Sequence, residues 1–417
     1  MNPVEAIAAA LRSPDEVVAI TDAPGNLMHT NGSRRSPWVP LSLSDGYPAI
    51  ALLFAELAAD DPSCGPLAHD YLTRAMDAGP TAEPGLFRGP VALAFAAHNA
   101  ALGSGGYSSL LSALDAAISA SAYRHSARLR ESLHRLGVVG SWCYDVISGS
   151  TGIGRYLLAR GDGDALRTVL SSLVEVAVAE DSGKPGWWVL HDVSSGPRQV
   201  AEHLNFGVAH GIGGPLALLS LAWTAGIRVP RHDEAITRIV EVLARWRAVD
   251  SAGPYWPNWL GDLGGGTPAV PRVRDVWCYG TAGLARALYL AGRALGSGAW
   301  LAEANAAFRA VLVTEGGAIH DFSLCHGWAG LLQITTRMAR DTGLPAYWTA
   351  ADGMAERIAT AFDPEKPFGY HLDHPVSRLG PNRPGFLDGA AGIALALHNH
   401  ARRAAPRTDW DAALLIA

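Results

Sequence analysis

Lysine is almost missing from this chain. Lys184 and Lys366 are the only two, and arginine carries the rest of the positive charge. No basic block appears and the formal net charge is -6, which argues against a nucleic-acid surface. Cysteine is scarce as well: Cys64, Cys143, Cys278 and Cys325 are four in 417 residues. That is no disulfide framework, so the expected compartment is reducing, the cytoplasm. Only 17% of residues are charged against 49% hydrophobic, so a large core is possible. Even so, no apolar run reaches the roughly eighteen residues of a membrane span. The segment from Met1 to Arg12 has no basic stretch ahead of an apolar one. It reads as a helix and not as a signal peptide.

What the chain does have is repetition. The pattern Gly-x-x-(Gly/Ala)-(Leu/Ile/Pro), followed by apolar residues, starts at Gly46, Gly89, Gly149, Gly211, Gly280, Gly327 and Gly389. The gaps are 43, 60, 62, 69, 47 and 62 residues, so seven matches are spread over the whole length, the signature of a repeat architecture. Each opens a run that is apolar almost all round, such as 215–222 or 284–291, as in helices buried on every side. Between them, amphipathic helical spacing covers 108–136, 165–180, 233–247, 299–313 and 347–362, with shorter candidates at 6–11 and 67–76. The expected fold is therefore all-α: seven inner helices sheathed by seven outer ones in a closed ring. An open solenoid is the alternative, but its helices would each keep a solvated face. Two Gly-, Pro- and aromatic-rich stretches, 183–205 and 251–274, interrupt the alternation. They read as long loops or short strands over the active end. No interdomain linker is visible, so one domain over 1–417 is expected.

With this alternation the inner helices run parallel, and their N-termini gather at one end. Partial positive charge there favours thiolates and developing oxyanions. Two neighbouring starts carry soft ligands: Trp277-Cys278-Tyr279-Gly280 and Leu324-Cys325-His326-Gly327. Two thiols and an imidazole plus one open position is the arrangement of a catalytic zinc site. The alternative is a pair of inert buried thiols and a capping histidine. His210 stands directly before Gly211, in the same slot as His326, and its type suits a general acid or base. Asp145, four residues before Gly149, could orient an imidazole or simply cap a turn. Arg274 could hold an enolate oxygen or lie on the surface, and Tyr279 could pack. Cys64 and Cys143 read as core or loop thiols, Asp45 and Asp388 as helix caps. His191, His203, His320, His371 and His374 have no ligand-like pattern. Gly149-x-x-Gly152-x-Gly154 follows no strand, so it is not read as a dinucleotide fingerprint.

Taken with the seven repeats, the segments Trp277-Cys278-Tyr279-Gly280, Leu324-Cys325-His326-Gly327, Ala209-His210-Gly211 and Tyr144-Asp145-Val146 resemble those of the lanthionine synthetase C-like proteins, the cyclases of class I lanthipeptide (lantibiotic) biosynthesis. The resemblance covers the chain from the Gly46 repeat to the Gly389 repeat. It implies an α/α toroid holding one Zn2+ on residues matching Cys278, Cys325 and His326. It also implies an acid/base histidine at His210 with an aspartate at Asp145, and an arginine and a tyrosine at Arg274 and Tyr279. The implied reaction adds peptide cysteine thiols to dehydroalanine or dehydrobutyrine, forming (methyl)lanthionine thioether rings. The implied substrate is a dehydrated precursor peptide with its leader, and the implied partners are a lanthipeptide dehydratase and a transporter. No dehydratase or kinase region is expected, so the chain reads as a stand-alone cyclase. Two other readings stand beside it: a non-cyclising thiol- or peptide-binding relative, and a prenyltransferase-like zinc enzyme on a toroid. The Cys-His adjacency argues against the latter. A sugar-processing toroid would need a facing carboxylate pair.

Overall fold

The computed structural model describes residues 2–30, 33–79, 85–190, 202–261, 271–314, 317, 319–371 and 381–417. His191, His374 and the run Gly264-Gly265-Gly266 lie outside the described residues. Sixteen α-helices occur among those described. In order they are α1 (Pro3–Ala10), α2 (Pro14–Thr21), α3 (Tyr47–Leu57), α4 (Cys64–Asp77), α5 (Pro90–Ser104), α6 (Ser108–Leu136), α7 (Ser141–Tyr144) and α8 (Ser150–Arg160). There follow α9 (Gly163–Val178), α10 (Gly213–Thr224), α11 (His232–Arg245), α12 (Thr281–Leu295), α13 (Gly298–Val313), α14 (Trp328–Thr342), α15 (Pro345–Thr360) and α16 (Ala390–Arg402).

The seven expected buried helices are α3, α5, α8, α10, α12, α14 and α16. Six of them have the pattern glycine as N-cap, while α10 starts two residues past Gly211. That glycine lies in a turn, where Ile212 N donates to Asn205 O at 3.0 Å. Leu216, Ala217, Leu218, Leu219 and Ala222 of α10 are fully buried, so the helix has no solvated stripe. In α11, by contrast, Ala235, Ile236, Ile239, Val240 and Leu243 are buried and lie on one face, and charged residues take the other. Short strands occupy the interrupting stretches: His203–Asn205 pairs antiparallel with Trp259–Gly261, and Ala248–Val249 with Pro254–Tyr255. Sequence periodicity gives no sign of α2, α7 or the hairpin Met28–Thr30/Ser33–Arg35. They are too short to show a period.

Contacts group the chain into two compact units. One comprises Met1–Glu83, Phe87–Asp115 and Ile319–Asp411. Within it α3 packs on α4, α5 and α16, and α14 packs on α15 and α16. The loops that start these helices are laced together: Gly89 N donates to Leu41 O, Leu387 N to Leu43 O, and Cys325 N to Leu387 O, at 2.7, 3.2 and 2.9 Å. The other unit comprises Pro84–Leu86, Ala116–Ala318 and Ala412–Ala417. There α10 packs on α8, α11 and α12, and α12 on α13. Its starting loops are laced in the same way, Val146 N to Ala209 O and Val208 N to Cys278 O, each at 3.0 Å. Within each unit the buried helices therefore begin side by side. Lacing of this kind leaves no room for a side chain at the pattern glycines. A Cβ on Gly330 would run into the carbonyl oxygen of Leu324, and Gly280 has φ +89°, where only glycine is unstrained.

Candidate active site

The approach to α12 is held by a buried charged relay. Asp275 accepts a hydrogen bond from Thr281 N at 2.6 Å through one carboxylate oxygen and from Arg272 at 3.0 Å through the other. Arg272 also pairs with Asp250 at 2.7 Å and lies over the Tyr255 ring, 4.7 Å from its centre. Burial pushes the Asp275 carboxyl above its usual range against these bonds. The Arg272 hydrogen bond holds Asp250 down at about 2. Just beyond, the Trp277 indole N–H donates to Leu414 O at 2.7 Å. Cys278 follows, 6% exposed.

The Cys278 carbonyl accepts hydrogen bonds from Val208 N and Ala209 N, at 3.0 and 3.3 Å. The loop carrying His210 is thereby tied to Cys278. His210 Nδ1 lies 2.6 Å from Asp145 Oδ2. The histidine side chain is 42% exposed and the aspartate only 2%. The other Asp145 oxygen accepts from Ser148 N and Gly149 N, both at 2.7 Å, so the carboxylate cannot turn away. Tyr279 accepts a hydrogen bond from Asn205 Nδ2 at 3.2 Å, and its ring lies 5.3 Å from that of Trp259. Asn205 and Trp259 face each other across the two-stranded ladder. Arg274 is half-buried and makes no hydrogen bond or ion pair among the described residues.

At the start of α14, Asp321 accepts from Ser323 N at 2.8 Å through Oδ1, and its Oδ2 lies 3.0 Å from His326 Nε2. Burial opposes the Asp321 charge, but the bonds from His326 and Ser323 outweigh it and hold the carboxyl below its usual range. The second imidazole nitrogen, Nδ1, is 3.8 Å from Asp388 Oδ1. Arg383 holds the other Asp388 oxygen at 3.2 Å and bonds Asp45 Oδ2 at 2.6 Å. Asp45 and Asp388 are therefore not the helix caps that their positions suggest: neither α3 nor α16 has a side-chain cap bond. Asp45 instead takes Gly385 N at 3.0 Å. Burial raises its carboxyl despite the Arg383 guanidinium.

Cys278, Cys325 and His326 each offer one ligand atom, and these atoms all lie within 4.8 Å of one another. Around tetrahedral zinc, with Zn–S about 2.3 Å and Zn–N about 2.0 Å, such atoms stand roughly 3.5–3.8 Å apart. The donor set thus fits a soft divalent metal. The other two thiols do not compete: Cys64 and Cys143 are buried. Burial, then the Asp145 charge, pushes Cys143 up to about 11, so it stays a thiol. Sequence reading missed Asp321 and Arg383 and took Asp388 for a cap. The available signal was an acidic residue four to six positions before a pattern glycine, at Asp145, Asp275 and Asp321.

Comparison with known proteins sets this geometry in a class. The solved structure of a nisin cyclase superposes with a TM-score of 0.74 at 22% identity, covering 90% of this chain and 92% of that one. The fold is accordingly the all-α, α/α-toroid fold. The chain belongs to the lanthionine synthetase C-like family, whose model matches residues 37–415. It is also similar to the nisin biosynthesis protein NisC of Lactococcus lactis subsp. lactis, 23% identical over 286 residues. That match takes in 66% of this chain and 64% of NisC, just under two thirds of the relative. No helix among the described residues is long and apolar enough to cross a membrane.

Proposed function

We propose that this protein is a zinc-dependent lanthipeptide cyclase. Its substrate is a ribosomal precursor peptide, still carrying its leader, whose Ser and Thr have been dehydrated by a separate dehydratase. The observation that carries this reading is the Cys278, Cys325 and His326 group in a lanthionine synthetase C-like chain. Zinc held there would supply a substrate cysteine in its thiolate form at neutral pH, where a free thiol, with a pKa of about 8.5, stays mostly protonated.

The protein's own groups account for the rest. The sulfur bonds to the β-carbon of a dehydroalanine or dehydrobutyrine, and the alkene pair moves toward the neighbouring amide carbonyl as an enolate. Arg274 and the adjoining helix start favour that oxyanion. The α-carbon then takes a proton from His210. With Nδ1 committed to Asp145, Nε2 is the nitrogen that delivers it, and the buried carboxylate stabilises the charged imidazole that must precede delivery. The thiol proton replaces the one spent, so the sum is an addition with no leaving group. Tyr279, oriented by Asn205, borders Cys278. This reading puts the enzyme in the cytoplasm with the dehydratase and a transporter as partners.

The test pairs metal content with ring formation. Cyclisation leaves peptide mass unchanged, so rings are counted by the free thiols that alkylation can still find. Wild type should carry about one zinc and consume thiols in a dehydrated peptide. Cys278→Ala and Cys325→Ala should lose both. A well-prepared wild type without zinc, or a zinc-loaded one that leaves thiols intact on a competent peptide, would overturn the proposal.

A further inference from the structure

We propose that Asn205 is a positioning residue for the reaction, holding the His210 loop with one end of its amide and Tyr279 with the other. This rests on the reading of the protein as a cyclase. Asn205 ends the strand His203–Asn205 and is 3% exposed. Its Oδ1 accepts a hydrogen bond from Gly207 N at 3.0 Å, and its carbonyl accepts from Ile212 N, also at 3.0 Å. Gly213 N donates to Gly207 O at 3.1 Å. The segment 205–213, which carries His210, is thereby closed at its mouth, while Val208 N and Ala209 N tie its crest to the Cys278 carbonyl. Nδ2 of the same amide donates to the Tyr279 hydroxyl at 3.2 Å. One buried side chain thus joins the loop bearing His210 to the residue that follows Cys278.

The two ends of the amide are not interchangeable. With Oδ1 on a backbone N–H, the NH2 is the end that faces Tyr279, so the phenol oxygen accepts and its own proton is not used in this bond. The backbone around it is cut to fit. A Cβ on Gly211 would strike Asn205 Oδ1 and its carbonyl oxygen, and one on Gly207 would strike the Tyr279 ring and the Cys278 carbonyl oxygen. An asparagine that only closed a turn would need Oδ1 alone, a task that serine also performs. The reach of Nδ2 to a residue 74 positions away is what the turn does not require.

Asn205→Ser separates the two tasks. Its hydroxyl can still accept from Gly207 N but is too short to reach Tyr279. Single-turnover ring formation, read as free thiols lost from a dehydrated peptide, should slow about 3- to 10-fold, the worth of one hydrogen bond. Zinc content and the circular dichroism spectrum should not change. Asn205→Ala also opens the turn under His210 and should be slower still. Tyr279→Phe removes the hydroxyl itself. The double variant Asn205→Ser/Tyr279→Phe should be no slower than the slower single one, because the two residues act through one contact. Effects that multiply in the double variant would overturn the inference, as would wild-type rates in Asn205→Ser or in Tyr279→Phe, or an Asn205→Ala variant no slower than Asn205→Ser. Lost zinc or a collapsed spectrum in Asn205→Ser would overturn it too, since the residue would then serve the fold. A wild type that leaves the thiols of a competent peptide intact would instead remove the cyclase reading, and the inference with it.

Discussion

A histidine at a helix start takes its chemistry from the groups that fix its ring. His210 has Nδ1 fixed by Asp145 at 2.6 Å, and 42% of its side chain is exposed, so a peptide can reach it. Asp145 is almost fully buried with two backbone N–H groups on its other oxygen, which fixes the imidazole's tilt and tautomer. Replacing His210 with Ala should slow ring formation by roughly 10²- to 10⁴-fold, the usual worth of a positioned acid or base. Zinc content should stay at the wild-type level. Asp145→Asn should slow the reaction too, because the new NH2 points at Nδ1 and selects the other tautomer, again with zinc retained. Single-turnover cyclisation alongside metal analysis reads both, and an unchanged rate in His210→Ala would take it out of the mechanism.

At the scale of the element, each helix start does two jobs: it closes a turn tight enough to lace onto its neighbour, and it presents a side chain. The first job demands glycine. Gly330→Ala would push a Cβ into backbone, the Leu324 carbonyl, which has no flexible end to yield. A loss of about 1–3 kcal/mol is expected, with weaker zinc binding because Leu324 precedes Cys325. Gly353→Ala, on an exposed turn of α15 with nothing near its Cβ, should instead stabilise by about 0.5–1 kcal/mol from helix propensity. Urea midpoints of the two variants should move in opposite directions. The approach to α12 gives a pH test. The Asp250 carboxyl is about 2 in the folded protein against about 4 unfolded, so its contribution to stability is full above about pH 4 and is lost as pH falls toward 2. Asp250→Asn should flatten unfolding stability across that window.

The same demand for glycine explains what was legible before the structure. Seven helix starts stand out because a steric requirement recurs at one place in every repeat. Outer helices such as α11 show themselves by an apolar stripe. Cys278, Cys325 and His326 are visible because soft ligands at two starts are rare in a chain with four cysteines. Asp321, Asp388 and Arg383 stayed hidden for a physical reason. An aspartate ahead of a helix looks the same in sequence whether it caps the helix or grips an imidazole, and Asp388 meets His326 from 62 positions away.

For the molecule as a whole, a metal held as proposed would also be a source of stability. Cys278 and Cys325 stand 47 residues apart, and their ligand atoms come within 4.8 Å of His326 and of each other only in the folded chain. A metal that needs all three binds the native state and hardly the unfolded one, so it stabilises by mass action. Free zinc at about a hundred times its dissociation constant adds about 2.7 kcal/mol. Unfolding entropy of about 2.1 cal/mol/K per residue over 417 residues comes to about 0.9 kcal/mol/K, so the melting midpoint should rise by about 3 °C if the chain melts in one transition. The rise should continue with the logarithm of free zinc, since mass action has no ceiling until metal binds elsewhere. Cys325→Ala should show a flat line over the same range. A parallel rise in that variant would mean that zinc stabilises the fold from some other place, and the three residues would lose their claim to the metal whatever the activity assay shows.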